Sequence, residues 1–89
     1  VHLRGEGETL WGGHDGWPQE GAAPTATWSV GTIVTDTHTF VVAPHTPPGA
    51  YDLEVGVYDS ATLERLQVIA PDGRPTDADF IYLSRIRVP

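Results

Sequence analysis

An all-β fold, an antiparallel sandwich of six to seven short strands in a single domain spanning residues 1–89, is predicted by three observations on the sequence. Tyr51, Leu53, Val55 and Val57 fall on one face of a strict period-two run, the pattern of a half-buried strand. Glycine and proline clusters recur between short stretches of β-branched and aromatic residues, as they do at strand ends. No helical periodicity extends over ten or more residues.

The elements follow in order. Val1 to Arg4 reads as the tail of a strand with Val1 and Leu3 on one face, and Gly5-Glu6-Gly7 as a hairpin-type turn into a strand at Thr9 to Gly12. Gly13 to Pro24, rich in Gly, Pro and small residues and carrying Trp17, reads as a long ordered loop. Thr25 to Trp28 is a short extended piece. Gly31 opens a strand from about Ile33 to Ala43, whose Ile, Val, Thr and Phe content suits a pleated surface. Pro48 presets φ for a tight turn and Gly49 supplies the positive φ of a type II turn, leading into the strand that runs to about Tyr58. Asp59 to Thr62 forms a turn in which the Asp carboxylate and Thr hydroxyl cap local amides. Leu63 to Ile69 supplies a strand with Leu66 and Val68 inward, Pro71 to Pro75 a turn, and Phe80 to Val88 the last strand.

Composition excludes several functions. Twelve acidic residues face five basic ones, all arginine, and the formal charge of −7 repels phosphate backbones and anionic headgroups. Nucleic acid and membrane surfaces are therefore not expected partners. The apolar runs, such as Phe40 to Ala43, fall far short of the ~20 residues needed to span a bilayer. Without cysteine, neither a disulfide framework nor a thiolate metal site reinforces the core. A chain of this size buries only about 60 to 65% of its unfolded surface, so packing must hold it with a thin margin. The absence of Met at Val1 suggests an excised piece or a processed product.

The ordered series His2-Leu3, Asp15-Gly16-Trp17-Pro18, Gly21, Pro24-Thr25, Trp28, Gly31, Asp36, Pro47-Pro48-Gly49-Ala50-Tyr51, Leu53, Val55-Gly56-Val57-Tyr58-Asp59, Arg65-Leu66 and Val68 resembles an immunoglobulin-like β-sandwich domain. Such domains occur at the extracytoplasmic end of polytopic bacterial membrane proteins, notably glycosyltransferases of the protein-mannosyltransferase type. The likeness spans nearly the whole chain. It implies a non-catalytic accessory domain that binds or scaffolds, part of a membrane-anchored parent and located outside the cytoplasm, with the rest of the parent chain and a glycan as partners. In that family two further strands normally precede the His-Leu strand. Their absence here predicts an unpaired edge beside Val1, and self-association through it.

The chemistry-bearing residues also have plainer structural roles. Tyr51, after a Pro-Gly turn, is expected to form a tyrosine corner, its hydroxyl tied to backbone across the turn. Flat indole rings stack on sugar faces, and Trp17, in the long loop beside Asp15, Gln19 and Glu20, is the candidate ligand platform; its plain alternative is an anchor for that loop. The same residues would serve an autonomous carbohydrate-binding module. Trp28 is expected to plug the core, and Trp11 can face either way. His14-Asp15 and Asp36-x-His38 carry donors suited to zinc and related ions and could meet as ligands, and Asp15, Glu20 and loop carbonyls suit calcium somewhat better, but the spacing is unspecific, no repeating Asp ladder occurs, and no metal or other cofactor is expected. Asp15 is expected instead to bond loop amides, and His45 to sit exposed in a turn. Serines 29, 60 and 84 lie in no nucleophile elbow, and Gly5-Glu6-Gly7 lacks the third glycine of a phosphate loop, so no catalytic residue is predicted. Arg65, Arg85 and Arg87 are expected to pair with Asp52, Glu54 or Glu64 and to keep edge strands soluble.

Overall fold

Leu3 is the one side chain fully enclosed, at 1% exposure, and the sheet is built around it. In the computed structural model, which describes residues Val1 to Pro89, four strands form a single antiparallel sheet: β1 (His2–Arg4), β2 (Leu10–Gly13), β3 (Gly49–Val55) and β4 (Ile81–Val88). Their spatial order is β2-β1-β3-β4, so the short β1 joins the N-terminal hairpin to the longer β3–β4 pair. Leu3 lies opposite Leu53, which lies opposite Ser84; His2 stands across from Glu54, and Arg4 across from Asp52. The alternation expected of strands then separates an apolar face carrying Leu3, Tyr51 and Leu53 from a polar face carrying His2, Arg4, Asp52 and Glu54. On the polar face, the Arg4 guanidinium Nε donates to Glu54 Oε2 at 2.8 Å, giving the buried Glu54 carboxylate its charge partner.

Two irregularities shape the sheet. Leu3 pairs with Gly12 but Arg4 with Leu10, so Trp11 is the extra residue of a bulge. Its ring meets Tyr51 edge-on, with centroids 6.3 Å apart and planes at 75°. Gly5 makes that approach available: a Cβ there would lie 2.6 Å from Trp11 Nε1. The second irregularity skips Leu83, between the Leu53–Ser84 and Glu54–Tyr82 pairs.

Tyr51 forms the expected corner, its hydroxyl donating to the Pro47 carbonyl at 2.5 Å. Gly49 does take a positive φ, 155°, but as the first residue of β3 rather than inside a tight type II turn. The Asp59 turn forms as its residues dictate: Asp59 Oδ1 accepts from the Ala61 and Thr62 amides at 2.8 and 3.1 Å. His45 is exposed in a turn, as expected.

Elsewhere the chain departs from expectation: one four-stranded sheet forms where six to seven strands were expected, and the strand beside Val1 is no unpaired edge, because β2 and β3 bond it on both sides. Residues 33–43 form no strand, because almost no ladder partner lies beside them; Ala43 N–H donating to Trp11 O at 2.7 Å is the backbone tie to β2. Residues 63–69 give only the bridging pairs Tyr58–Arg65 and Ile69–Pro75, and Leu66 is exposed rather than inward. Thr25–Thr27 winds into a single 3-10 turn, as do Glu6–Glu8 and Pro18–Gly21. β3 ends at Val55, which leaves Val57 exposed, and Trp28 does not plug the core: it is 41% exposed and donates Nε1–H to Ala23 O at 2.9 Å. Of the arginines, Arg85 pairs with Asp52 at 3.1 Å and Arg65 with Asp79 at 3.8 Å, while Glu54 is taken by Arg4.

The result is an open molecule. Its accessible surface of 6948 Å² exceeds the roughly 5,100 Å² that size scaling gives a folded monomer of this mass. Its radius of gyration of 14.5 Å likewise exceeds the ~12 Å of a compact domain. Val30, Ile33 and Val41 are exposed at 108, 92 and 88%, and Ile81, Leu83 and Ile86 on β4 are exposed as well.

Two substitutions test this architecture. Leu3→Ala should lower unfolding free energy by about 2–5 kcal/mol in urea titration, because it empties the enclosed position. Tyr51→Phe, which leaves the ring and removes the corner hydrogen bond, should cost about 1 kcal/mol by the same measurement.

Candidate functional site

The loop between β2 and residue 38 is short of regular structure and is held by side chains. Its entry is fixed at Asp15. Oδ1 of that carboxylate accepts from His2 Nε2 at 3.0 Å and Oδ2 from the Tyr58 hydroxyl at 3.0 Å, with the Val1 ammonium 4.0 Å away. The strand alternation that buries Leu3 turns His2 to the opposite face, where it meets Asp15. Asp15 therefore bonds side chains from β1 and from the segment after β3, not the loop amides expected of it. Burial pushes its pKa up, but the Tyr58 hydrogen bond and the charges of His2 and the terminal amine outweigh that and hold it below the ordinary 3.8. The same bond to Asp15, with the carboxylate's charge, raises the Tyr58 phenol above its ordinary 10.0.

The loop's middle is fixed at Asp36. Gln19 N–H donates to Asp36 Oδ1 at 2.7 Å, and Gln19 Nε2 donates to the Thr35 carbonyl at 2.7 Å. The other Asp36 oxygen, Oδ2, accepts from His38 Nε2 at 2.8 Å. The Gln19 amide, then the His38 ring, hold the Asp36 carboxyl below its usual range against a smaller opposing desolvation. These ties sustain an uncommon backbone: Gln19 and Glu20 take φ of 51° and 56°, followed by Gly21 at 95°. A left-handed conformation costs an L-residue roughly 1–2 kcal/mol, so two in succession persist only where surrounding contacts enforce them.

The four sequence candidates are thus divided. Asp15 and Gln19 are occupied in holding the loop. Trp17, 61% exposed, and Glu20, exposed, stand at the same turn, and Trp17 O accepts from Glu20 N–H at 3.0 Å. The structure also brings together the two segments that the sequence offered as able to meet: His14 Nδ1 lies 2.8 Å from His38 Nδ1.

Two concavities adjoin these residues. Between His2, Asp15, Glu54, Tyr58, Arg65 and Phe80 lies a crevice of about 20 Å³, room for about one water. A shallow groove of about 480 Å³ runs between β2 and residues 41–43, lined by Leu10, Trp11, Val41 and Ala43 with His2 and Asp15 at its polar end. Sequence reasoning missed this groove, because it depends on where the strandless segment around Val41 comes to rest. No helix in the molecule is long and apolar enough to cross a membrane. Comparison with known protein families, characterised proteins and solved structures gave no match.

Asp15 makes the acid limb of stability testable. A carboxyl whose folded pKa lies below its unfolded value contributes stability that is fully present above pH 3.8 and lost as pH falls through the lower folded value. Asp15→Asn should therefore be less stable than the native chain at neutral pH, and the difference should shrink below pH 3.8 in urea titrations run across a pH series. In a spectrophotometric titration of the same variant, the Tyr58 phenolate should form at lower pH than in the native chain.

Proposed function

We propose that this chain is a non-catalytic binding or scaffolding domain of the immunoglobulin-like sandwich type, an extracytoplasmic accessory of a bacterial membrane glycosyltransferase-like protein, in which Trp17 offers a stacking face to a glycan. The observation that carries this reading is the exposed Trp17 indole at the head of the left-handed turn Gln19-Glu20-Gly21. A flexible loop would lose a bound sugar's orientation. This one is fixed by Gln19 to Asp36 and Thr35, so the indole is presented with little ordering left to do on binding. Glu20 stands beside it with carboxylate oxygens suited to sugar hydroxyls, and Asp15, though engaged with His2 and Tyr58, keeps lone pairs to share. The same arrangement serves an autonomous carbohydrate-binding module, and the parent protein decides between the two.

A second reading, a structural spacer or oligomerisation unit, is favoured by the uncovered apolar side chains. β4 is an edge strand with Ile81, Leu83 and Ile86 exposed, and Val30, Ile33 and Val41 are bare on the loop side. In a sandwich a second layer covers such a sheet, supplied by the parent chain or by another copy.

Titration of a broad glycan panel against the chain, followed by tryptophan emission, separates the two readings. Glycan binding predicts a saturable change for at least one sugar class that Trp17→Ala abolishes while the fold, read by circular dichroism, is retained. A flat response across the panel, with concentration-dependent association in light scattering, favours the spacer. A response that survives Trp17→Ala and is lost in Val41→Arg assigns the ligand to the groove along β2 and overturns the role of Trp17.

A further inference from the structure

His14 and His38 come from segments on either side of the long loop, and their imidazoles meet nitrogen to nitrogen. The Nδ1 atoms are 2.8 Å apart, the ring centroids 4.9 Å apart and the planes inclined at 64°. Asp36 decides which nitrogen of His38 is basic. A carboxylate can only accept, so the 2.8 Å contact from His38 Nε2 to Asp36 Oδ2 places the ring proton on Nε2 and leaves the Nδ1 lone pair facing His14. The opposite oxygen of Asp36 is itself held by the Gln19 amide, so the whole Gln19–Asp36–His38 chain is oriented. A carboxylate bonded to one imidazole nitrogen, with the other left as a lone-pair donor, is the arrangement that fixes ring orientation and raises basicity in metal-ligating histidines.

We propose that His14 and His38 bind a late first-row divalent cation, of the zinc and copper(II) class, through their two Nδ1 atoms, with Asp36 as the positioning residue behind His38. No third His, Asp or Glu joins them around a common point, so the remaining coordination positions belong to water or to an oxygen-bearing ligand. Imidazole nitrogen selects this class of ion over calcium or magnesium, which prefer oxygen. Without metal, His14 donates its Nδ1 proton to His38. With metal, His14 adopts the other tautomer, its proton on Nε2, and both Nδ1 lone pairs point at the ion. Two Zn–N bonds of ~2.0–2.1 Å at a tetrahedral angle require the nitrogens about 3.3 Å apart, so the rings must separate by about half an ångström and each must tilt by roughly 35° to turn its lone pair from the other nitrogen onto the ion. Gly16 leaves room on that side, since a Cβ there would lie 3.2 Å from His14 Cε1. The formal charge of −7 draws cations toward the chain.

The test is titration of the chain with zinc chloride, and separately copper(II) chloride, read by calorimetry and by the ring-nitrogen resonances of ¹⁵N-labelled histidine. The expected result is saturable binding that moves the Nδ1 resonances of His14 and His38 and leaves those of His2 and His45 in place. His14→Ala and His38→Ala should each abolish the response, Asp36→Asn should weaken affinity about 10-fold or more, and His45→Ala should change nothing. Native-chain resonances serve as the readout where a variant loosens the loop. Unmoved His14 and His38 resonances at millimolar metal would overturn the proposal, as would binding that persists unchanged in folded His14→Ala.

Discussion

Everything in this molecule hangs from the three-residue strand β1. It is bonded on both sides, to β2 and to β3, so it joins the N-terminal hairpin to the β3–β4 pair, and its centre, Leu3, is the one side chain removed from water completely. The constraint is geometrical as much as hydrophobic. Because successive side chains alternate, burying Leu3 against Leu53 commits His2 and Arg4 to the opposite face, where Arg4 neutralises the buried Glu54 and His2 grips Asp15. A slip of one residue would send Leu3 to the wet side and release the loop with it. The core of the fold and the anchoring of the candidate site are therefore one event.

From that anchor the loop is organised by charge-assisted hydrogen bonds rather than by backbone ladders. Asp15 takes two donors from remote residues, Asp36 takes one from Gln19 and one from the nearby His38, and between these two posts the chain supports a pair of left-handed residues. Such ties are short-range and local in their effect. They fix Trp17's surroundings and the meeting of His14 with His38 without enclosing either, which is why both stand ready for solvent-borne partners, while the crevice beside Asp15 admits little more than a water. The openness of the whole molecule has the same origin, since side-chain ties order a loop but do not cover apolar residues such as Val30 and Ile33.

What was legible in the sequence was what local chemistry dictates. The β3 alternation, the Tyr51 corner and the Asp59 turn could be read because each depends on residues a few positions apart. The strand expected over residues 33–43 could not be judged that way. β-branched composition describes a segment able to pair, and pairing needs a neighbour that the sequence does not specify. Trp28 was misread for the same reason, its ring lying along its own loop and bonded to Ala23 instead of entering a core. Asp15 was placed correctly at a loop but given the wrong partners, because His2 and Tyr58 reach it across 13 and 43 positions. Of the four candidate ligand residues, only the folded chain divides the anchors, Asp15 and Gln19, from the exposed pair, Trp17 and Glu20. The His14 and His38 segments could be named as able to meet, but that their Nδ1 atoms are the ones in contact depends on the loop's path, which no spacing rule encodes.

Amide hydrogen exchange on the isolated chain tests most directly the claim that one sheet centred on β1 holds the molecule. Amides of β1 and of its partners in β3 should exchange slowest and at a common free energy of opening, with residues 30–41 exchanging fast despite their β-branched composition. Strong protection running through 33–43 and 63–69, at or above that of β1, would contradict the account by revealing a second sheet in those segments.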